Sequence, residues 1–342
     1  MKDKDLQWLE YAISLARRGL KATKTNPLVG SVIVHDEKIL GEGYHAYYGG
    51  PHAEVNALAS VPAEKREFIS AATWYVTLEP CCHYGKTPPC VDLILANRPA
   101  RVVIGTLDPN PLVAGKGAKI LSEAGIHVNI LKNYTPAIEL IAPFVANLQK
   151  RPYVILKVAQ SRDFYMGQAD RQVWLSDRPA QILSHQWRTE VDGILIGKNT
   201  ALIDRPQLTP RLVEGDAPTR IVLCHISALD PQHPLLQPTA KTIFVHPEHE
   251  ETSSEYVSTW KLDPKEIPTL LNRLFESGIY TLLVEGGAAV LQAFLNAKIW
   301  DEARIIQTPR VLGSGIKAPM IQGRLSRKIQ LTTDELIYIR PK

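Results

Sequence analysis

Three side chains with metal-ligand chemistry constrain this sequence more than any other feature: His52, Cys81 and Cys90. They can serve one ion only if the fold draws distant stretches onto a single point. His52 belongs to His52-Ala53-Glu54, Cys81 follows Pro80, and Cys90 follows Pro88-Pro89. Zinc favours four-coordinate nitrogen and sulfur sites, and a site with three protein ligands keeps its fourth position for water. Two thiolates and a neutral imidazole balance the double charge of the ion. Such a site lowers the pKa of a water from about 15.7 to about 7. Glu54 lies two positions from His52, too close for both to share a helix face, so it is expected beside the metal and not on it. A carboxylate placed there can take a proton from the water and pass it to a leaving nitrogen, the arrangement of zinc deaminases. H-x-E alone is common, and Cys81 and Cys90 could close a structural site with Cys82 or His83. The joint pattern favours the catalytic reading. Both ligand clusters are expected to begin helices, where the positive dipole end favours thiolates. Cys82 is read as a packing or substrate-lining position.

Composition fits this reading. With 342 residues, two domains are expected. An apolar share of 45% and a charged share of 22% are those of a globular protein. A formal net charge of +4 is too small to make nucleic acid the main partner. The Met1-Lys2-Asp3-Lys4-Asp5 start has no apolar run behind it, and no stretch suits a membrane span, so a cytoplasmic protein is expected. Three of the four cysteines fall between positions 81 and 90, which in a reducing compartment points to metal or catalysis over disulfides.

Periodicity predicts an α/β organisation. Leu6, Leu9, Ile13, Ala16 and Leu20 outline a first helix. Val29–Val34 and Ile39–Gly43 read as a hairpin, Ala53–Ser60 as a helix, and Thr73–Leu78 as a strand. Val91–Ala96 and Ala118–Ala124 read as helices flanking the strand Arg101–Thr106. The Gln149-Lys150-Arg151-Pro152 stretch divides the chain into 1–149 and 150–342. Beyond it, strands are expected at Tyr153–Val158, Gly193–Gly197, Arg220–Cys224, Thr242–Val245, Tyr280–Glu285 and Glu302–Gln307. Helices are expected at Pro179–Thr189 and Ala288–Ala297, and the Pro/His/Ser-rich Asp230–Pro268 stretch reads mostly as loop. Gly286-Gly287, between a strand and a helix, could hold a cofactor phosphate on bare backbone amides or could simply be a tight turn.

The segments Thr25–Gly30, Gly49–Glu54, Thr77–Cys90 and Asp108–Pro111 together resemble the bifunctional riboflavin-biosynthesis deaminase/reductase family. The second half resembles the reductase domain of that family at Arg151–Lys157, Trp187–Ile194, Gly197–Thr200, Asp204–Arg211, Val284–Gly287 and Pro309–Gly313. The resemblance implies a cytidine-deaminase-like three-layer domain followed by a dihydrofolate-reductase-like α/β domain. It implies zinc-dependent deamination of 2,5-diamino-6-ribosylamino-4(3H)-pyrimidinone 5′-phosphate, then NADPH reduction of the ribosyl group to ribityl. A homo-oligomer acting on this small phosphorylated pyrimidine, without nucleic acid or membrane, is expected.

By the same resemblance, Asn26, His45, His83 and Lys86 line the deaminase pocket. Arg188, Leu208, Arg211 and Glu285 meet the reductase substrate, with the two arginines suited to its phosphate. Ala159, Trp174, Thr200, Asp204, Gly286 and Gly287 hold the nicotinamide cofactor. The chain departs from the family pattern at Arg162, Phe164, Gln172 and Cys224; Phe164 stands for a glycine and is expected to fill space or forbid a positive φ.

Overall fold

The computed structural model describes residues 2–84, 88–111 and 113–342. The chain forms two compact units, Met1–Gln149 and Lys150–Lys342. The first runs α1 (Lys2–Ala16), β1 (Gly30–His35), β2 (Lys38–Tyr44), α2 (Ala53–Ala59), β3 (Thr73–Val76), α3 (Cys90–Asn97), β4 (Arg101–Ile104), α4 (Lys116–Glu123), β5 (His127–Ile130), α5 (Thr135–Leu140) and α6 (Ala142–Leu148). Its sheet order is β2-β1-β3-β4-β5, antiparallel on one side and parallel from β3 to β5.

Local chemistry explains this order. The β1–β2 hairpin turns at Asp36 and Glu37, both with positive φ (48° and 60°), the backbone of a two-residue turn matched to strand twist. The parallel strands carry short apolar runs, and α3 and α4 supply their crossovers. Trp74, Ile94, Ile104 and Leu121 are fully buried between the sheet and these helices. Gly41 and Gly43 let α2 lie directly on β2: a Cβ at either would come within 2.3 Å of the Ala57 backbone. That contact fixes the start of α2, where His52 and Glu54 sit. The first helix stops short of the predicted Leu20. Arg17–Gly19 tightens into a 3₁₀ turn, and Leu20 is exposed.

The second unit contains β6 (Tyr153–Gln160), β7 (Tyr165–Gly167), α7 (Arg178–Thr189), β8 (Gly193–Gly197), α8 (Lys198–Asp204), β9 (Thr219–Leu223), β10 (Thr242–His246), β11 (Thr252–Ser253), β12 (Val257–Lys261), α9 (Ile267–Glu276), β13 (Thr281–Val284), α10 (Ala288–Ala297), β14 (Glu302–Gln307), β15 (Ile316–Lys317), β16 (Arg324–Gln330) and β17 (Glu335–Arg340). Ten strands form one sheet in the order β11-β12-β10-β9-β8-β13-β6-β14-β17-β16, with β12 through β14 parallel. The central strands β8 and β13 are buried apolar runs, as expected of strands covered on both faces.

The Asp230–Pro268 stretch is more ordered than its composition suggests. Besides β10 it holds β12, paired in parallel with β10, and it leads into α9. Val257–Lys261 (V-S-T-W-K) is a half-polar strand near the sheet edge, so it lacks the apolar run of a central strand. A buried cation organises the loop ahead of β10. Arg220, inaccessible on β9, donates to the carbonyls of Pro234, Gln237 and Ala240 and to the Thr239 hydroxyl. Burial pulls its pKa down to about 10.

Candidate active sites

In the first unit His52 caps the start of α2, and Cys90 is the first residue of α3. Cys81 lies in the loop after β3 and not at a helix start, a correction to the expectation for both clusters. It still faces a helix start, because its sulfur accepts the Cys90 backbone N–H at 3.3 Å. The His52 Nδ1 atom is 3.3 Å from Cys90 Sγ and 3.5 Å from Cys81 Sγ. Zinc bonds of about 2.0 and 2.3 Å at a tetrahedral angle give a nitrogen–sulfur edge of about 3.5 Å. The three donors therefore already stand at the spacing of a zinc coordination sphere. Among the described residues this is the only such group whose ligand atoms gather within 4.8 Å.

The protons around these donors are unevenly held. Hydrogen bonding from Cys90 outweighs burial and brings Cys81 down to about 4, while the same bond and burial push the Cys90 thiol far up. Cys81 also draws the His52 imidazole above its ordinary value. Glu54 is 3% exposed. Burial and the negative Cys81 raise its carboxyl to about 7, against the pull of His52. Asn26 Nδ2 is 3.0 Å from His45 Nε2, and His45 Nδ1 is 3.0 Å from the Pro51 carbonyl oxygen. The His45 and His52 rings meet edge to face at 5.6 Å. Asn26 and His45 thus adjoin the metal donors, His83 is exposed on the following loop, and Lys86 lies outside the described residues. Cys82 packs against the core.

Sequence reasoning gave no role to Glu79. Its buried carboxylate accepts the N–H groups of Asp108 (3.1 Å), Gly115 (2.8 Å) and Ala118 (3.1 Å), tying the Asp108–Gly115 loop and the start of α4 to the strand end that carries Cys81. The signal was an acidic residue between an apolar strand and Pro-Cys.

In the second unit the candidate residues gather at the C-terminal ends of the parallel strands, where open α/β sheets bind ligands. Glu285, directly after β13, has a side chain 8% exposed and receives Arg188 through Nε at 3.1 Å and Nη2 at 3.0 Å. Lys157 of β6 approaches it at 3.7 Å. Burial would raise the Glu285 carboxyl, but Arg188 and Lys157 hold it at about 2. Arg188, expected at a phosphate, is paired here with Glu285, and its Nη1 donates to the Thr209 carbonyl at 3.3 Å. Arg211 is the exposed guanidinium of the pair. Lys157, a single cation in an apolar strand, was overlooked. So was His185, whose pKa burial and the cations Arg188 and Arg211 lower to about 4. Leu208 is buried with φ +59°.

Gly287 caps α10 with extended backbone and no side-chain cap, leaving the first amides of that helix open to a ligand. A Cβ at Gly287 would stand 3.4 Å from Thr200 Oγ1 of α8, and one at Gly286 would come within 2.7 Å of Val290. This bare-backbone cradle suits a dinucleotide phosphate. Asp204 ends α8 half-buried, with its pKa raised by burial; Ala159 is half-buried on β6, and Trp174 is 60% exposed. Phe164 overturns the expectation that it would forbid a left-handed backbone, since it adopts φ +67° with an exposed ring. Asp163 secures that turn by accepting from Ser161 Oγ at 2.6 Å and from the amides of Leu312 (3.0 Å) and Gly313 (2.7 Å). Cys224 is buried, its thiol pushed up to about 11, and Gln172 is exposed.

These two units and their sites define a two-domain α/β enzyme with a cytidine-deaminase-type zinc centre followed by a reductase domain. Residues 2–106 match the family described as cytidine and deoxycytidylate deaminase zinc-binding region, and residues 152–340 match the RibD C-terminal domain. The chain belongs to the RibD family of riboflavin biosynthesis proteins. It is 36% identical over 330 residues to riboflavin biosynthesis protein RibD of Aquifex aeolicus, covering 92% of this chain and 90% of that one. A crystal structure of the Thermotoga maritima diaminohydroxyphosphoribosylaminopyrimidine deaminase/5-amino-6-(5-phosphoribosylamino)uracil reductase superposes with a TM-score of 0.83 at 32% identity over 99% of both chains. Acinetobacter baumannii RibD superposes with a TM-score of 0.80 at 35% identity, again over 99% of both.

Proposed function

We propose that residues 1–149 deaminate the diaminopyrimidinone ribosyl 5′-phosphate and residues 150–342 reduce the resulting aminouracil derivative with NADPH. The observation that carries this reading is the convergence of His52, Cys81 and Cys90 at tetrahedral spacing beside the buried Glu54. Zinc held by these three supplies Lewis-acid activation of water at neutral pH. Glu54 takes a proton from the attacking water and delivers it to the departing amine, a task suited to a carboxyl raised to about 7. Asn26 and His45 orient the pyrimidine. His83, exposed on the loop after Cys82, lines the same pocket.

In the reductase, NADPH supplies the hydride that goes to C1′ of the ribosyl group. The Gly286-Gly287 turn and Thr200 hold its phosphates, with Ala159, Trp174 and Asp204 along its length. Lys157, held 3.7 Å from Glu285, carries the proton needed as the C1′–ring-oxygen bond opens. Arg211 meets the substrate phosphate and Leu208 lines the pocket beside it. A homo-oligomer in the cytoplasm completes the proposal, supported by the exposed apolar Val311, Met320 and Leu325 and by reduced thiols; light scattering of the purified chain tests the assembly. The main test is incubation with the phosphorylated diaminopyrimidine, with and without NADPH, followed by product mass analysis. The amine should be exchanged for oxygen in both cases, with two hydrogens added only when NADPH is present. Unchanged substrate in both would sink the proposal.

A further inference from the structure

The segment 207–212 carries Arg211 and is pinned from three directions by basic side chains, Arg220 and His185 buried and Arg188 half-buried. Arg220 reaches the Gln207 carbonyl at 3.5 Å. Arg188 donates to the Thr209 carbonyl at 3.3 Å, and the Arg211 N–H closes onto the same oxygen at 3.0 Å. The Leu212 N–H donates to Nδ1 of His185 at 3.3 Å. His185 and Arg188 are three residues apart on α7, so they share one face and reach the two ends of a single turn. Inside the pinned segment Leu208 is buried in a left-handed conformation that leucine adopts only when its surroundings impose it. The only exposed charge between the two α7 contacts is Arg211.

We propose that His185 is a positioning residue: by accepting the Leu212 N–H it sets the 209–212 turn so that Arg211 meets the 5′-phosphate of the reductase substrate. An imidazole can accept at Nδ1 only while that nitrogen is unprotonated, with its proton on Nε2. His185 is 8% exposed, and burial with the nearby Arg188 and Arg211 holds it neutral at physiological pH. A lysine or arginine at 185 would offer only donors to an amide that is itself a donor. The helix thus divides its work: Arg188 supplies a donor for the carbonyl end of the turn, and His185 supplies an acceptor for the amide end.

The proposal rests on reading Arg211 as the phosphate ligand, and its test separates the two. Steady-state reduction of the aminouracil ribosyl phosphate is measured for the full chain and for His185→Leu, His185→Asn and Arg211→Ala, with NADPH affinity followed by fluorescence. Losing one buried hydrogen bond should let the turn drift and raise the substrate KM about ten-fold in His185→Leu. The kcat and the NADPH Kd should stay near those of the parent. Asn, whose side-chain oxygen can stand in for Nδ1, should restore the parental KM. If Leu at 185 prevents folding, His185→Met poses the same question with a flexible side chain. An unchanged KM in His185→Leu beside a raised KM in Arg211→Ala overturns the positioning role while leaving the phosphate reading intact. Equal losses in the Leu and Asn variants overturn the acceptor role. An unchanged KM in Arg211→Ala overturns the phosphate reading itself, and the positioning role with it.

Discussion

Glu54 in the first unit and Glu285 in the second are both buried carboxyls, yet their surroundings drive them in opposite directions. Glu54 has a negative thiolate beside it and only a partly opposing histidine, so its carboxyl rises to about 7. Glu285 has Arg188 and Lys157 against it, and its carboxyl falls to about 2. Burial raises both; the sign of the neighbouring charge decides the outcome. One group can gain and lose a proton under working conditions, and the other is a permanent anion that holds two cations in place. The first site is thus built around a mobile proton and the second around a fixed charge.

The sharpest way to break this comparison is to remove the proton carrier and keep its shape. Glu54→Gln should lower deamination about 10²–10⁴-fold, the usual range for a general acid–base group. Bound zinc, measured by elemental analysis, should stay stoichiometric, because Glu54 is not among the three converging donors. Cys90→Ala should instead lose both zinc and deamination. NADPH reduction of the aminouracil should persist in each variant. Full deamination by Glu54→Gln would show that its position, and not its proton, is what matters.

Glu285→Gln makes the matching change in the other unit and should act on stability as well as on rate. It leaves the half-buried Arg188 and Lys157 without their anion, a loss of up to about 3–5 kcal/mol by the standard of broken buried pairs. Urea unfolding at neutral pH, followed by a probe in the second unit, measures this. The pH dependence has a definite sign. A carboxyl lowered from 4.5 to about 2 by its partners stabilises the folded state fully above pH 4.5, and that contribution is lost as pH falls toward 2. The amount at stake is about 3 kcal/mol. The parent should therefore lose more stability than Glu285→Gln as pH is lowered through this window. Parallel curves for the two proteins would mean that Glu285 is not the fixed anion described.

The same contrast explains how much could be read before the fold was known. Metal ligands and their acid neighbour come in short contiguous motifs with residue types rarely combined for other reasons, so His52, Glu54, Cys81 and Cys90 stood out. Glu79 did not, because accepting three backbone amides leaves no pattern in side-chain types. In the second unit the apolar strands were plain, whereas the Arg188–Glu285 pair joins residues 97 positions apart. Nothing local announces that an arginine suited to phosphate already has a carboxylate partner. The strand β12 was hidden because its half-polar pattern suits a sheet margin. Positions where neighbours distant in sequence decide the outcome were the ones that stayed illegible.

The smallest effect concerns the backbone. Each unit places non-glycine residues at positive φ: Asp36 and Glu37 in the β1–β2 turn, and Phe164 in the turn after β6. A left-handed conformation costs an L-residue about 1–2 kcal/mol, and glycine escapes that cost while losing about 0.5–1 kcal/mol of unfolded-state entropy. Phe164→Gly removes a ring that is 59% exposed, so little packing is forfeited. The Asp163 contacts to the Leu312 and Gly313 amides should hold the turn in place. A net gain of about 0.5–1 kcal/mol should raise Tm by about 1–4 °C. Glu37→Gly should gain less, because it also gives up an exposed ion pair with Lys4 that is worth about 0–1 kcal/mol. Calorimetry on both variants ranks them. If Phe164→Gly melted below the parent, the ring would be contributing contacts that outweigh its strain, and the second unit would depend on that turn for more than its backbone shape.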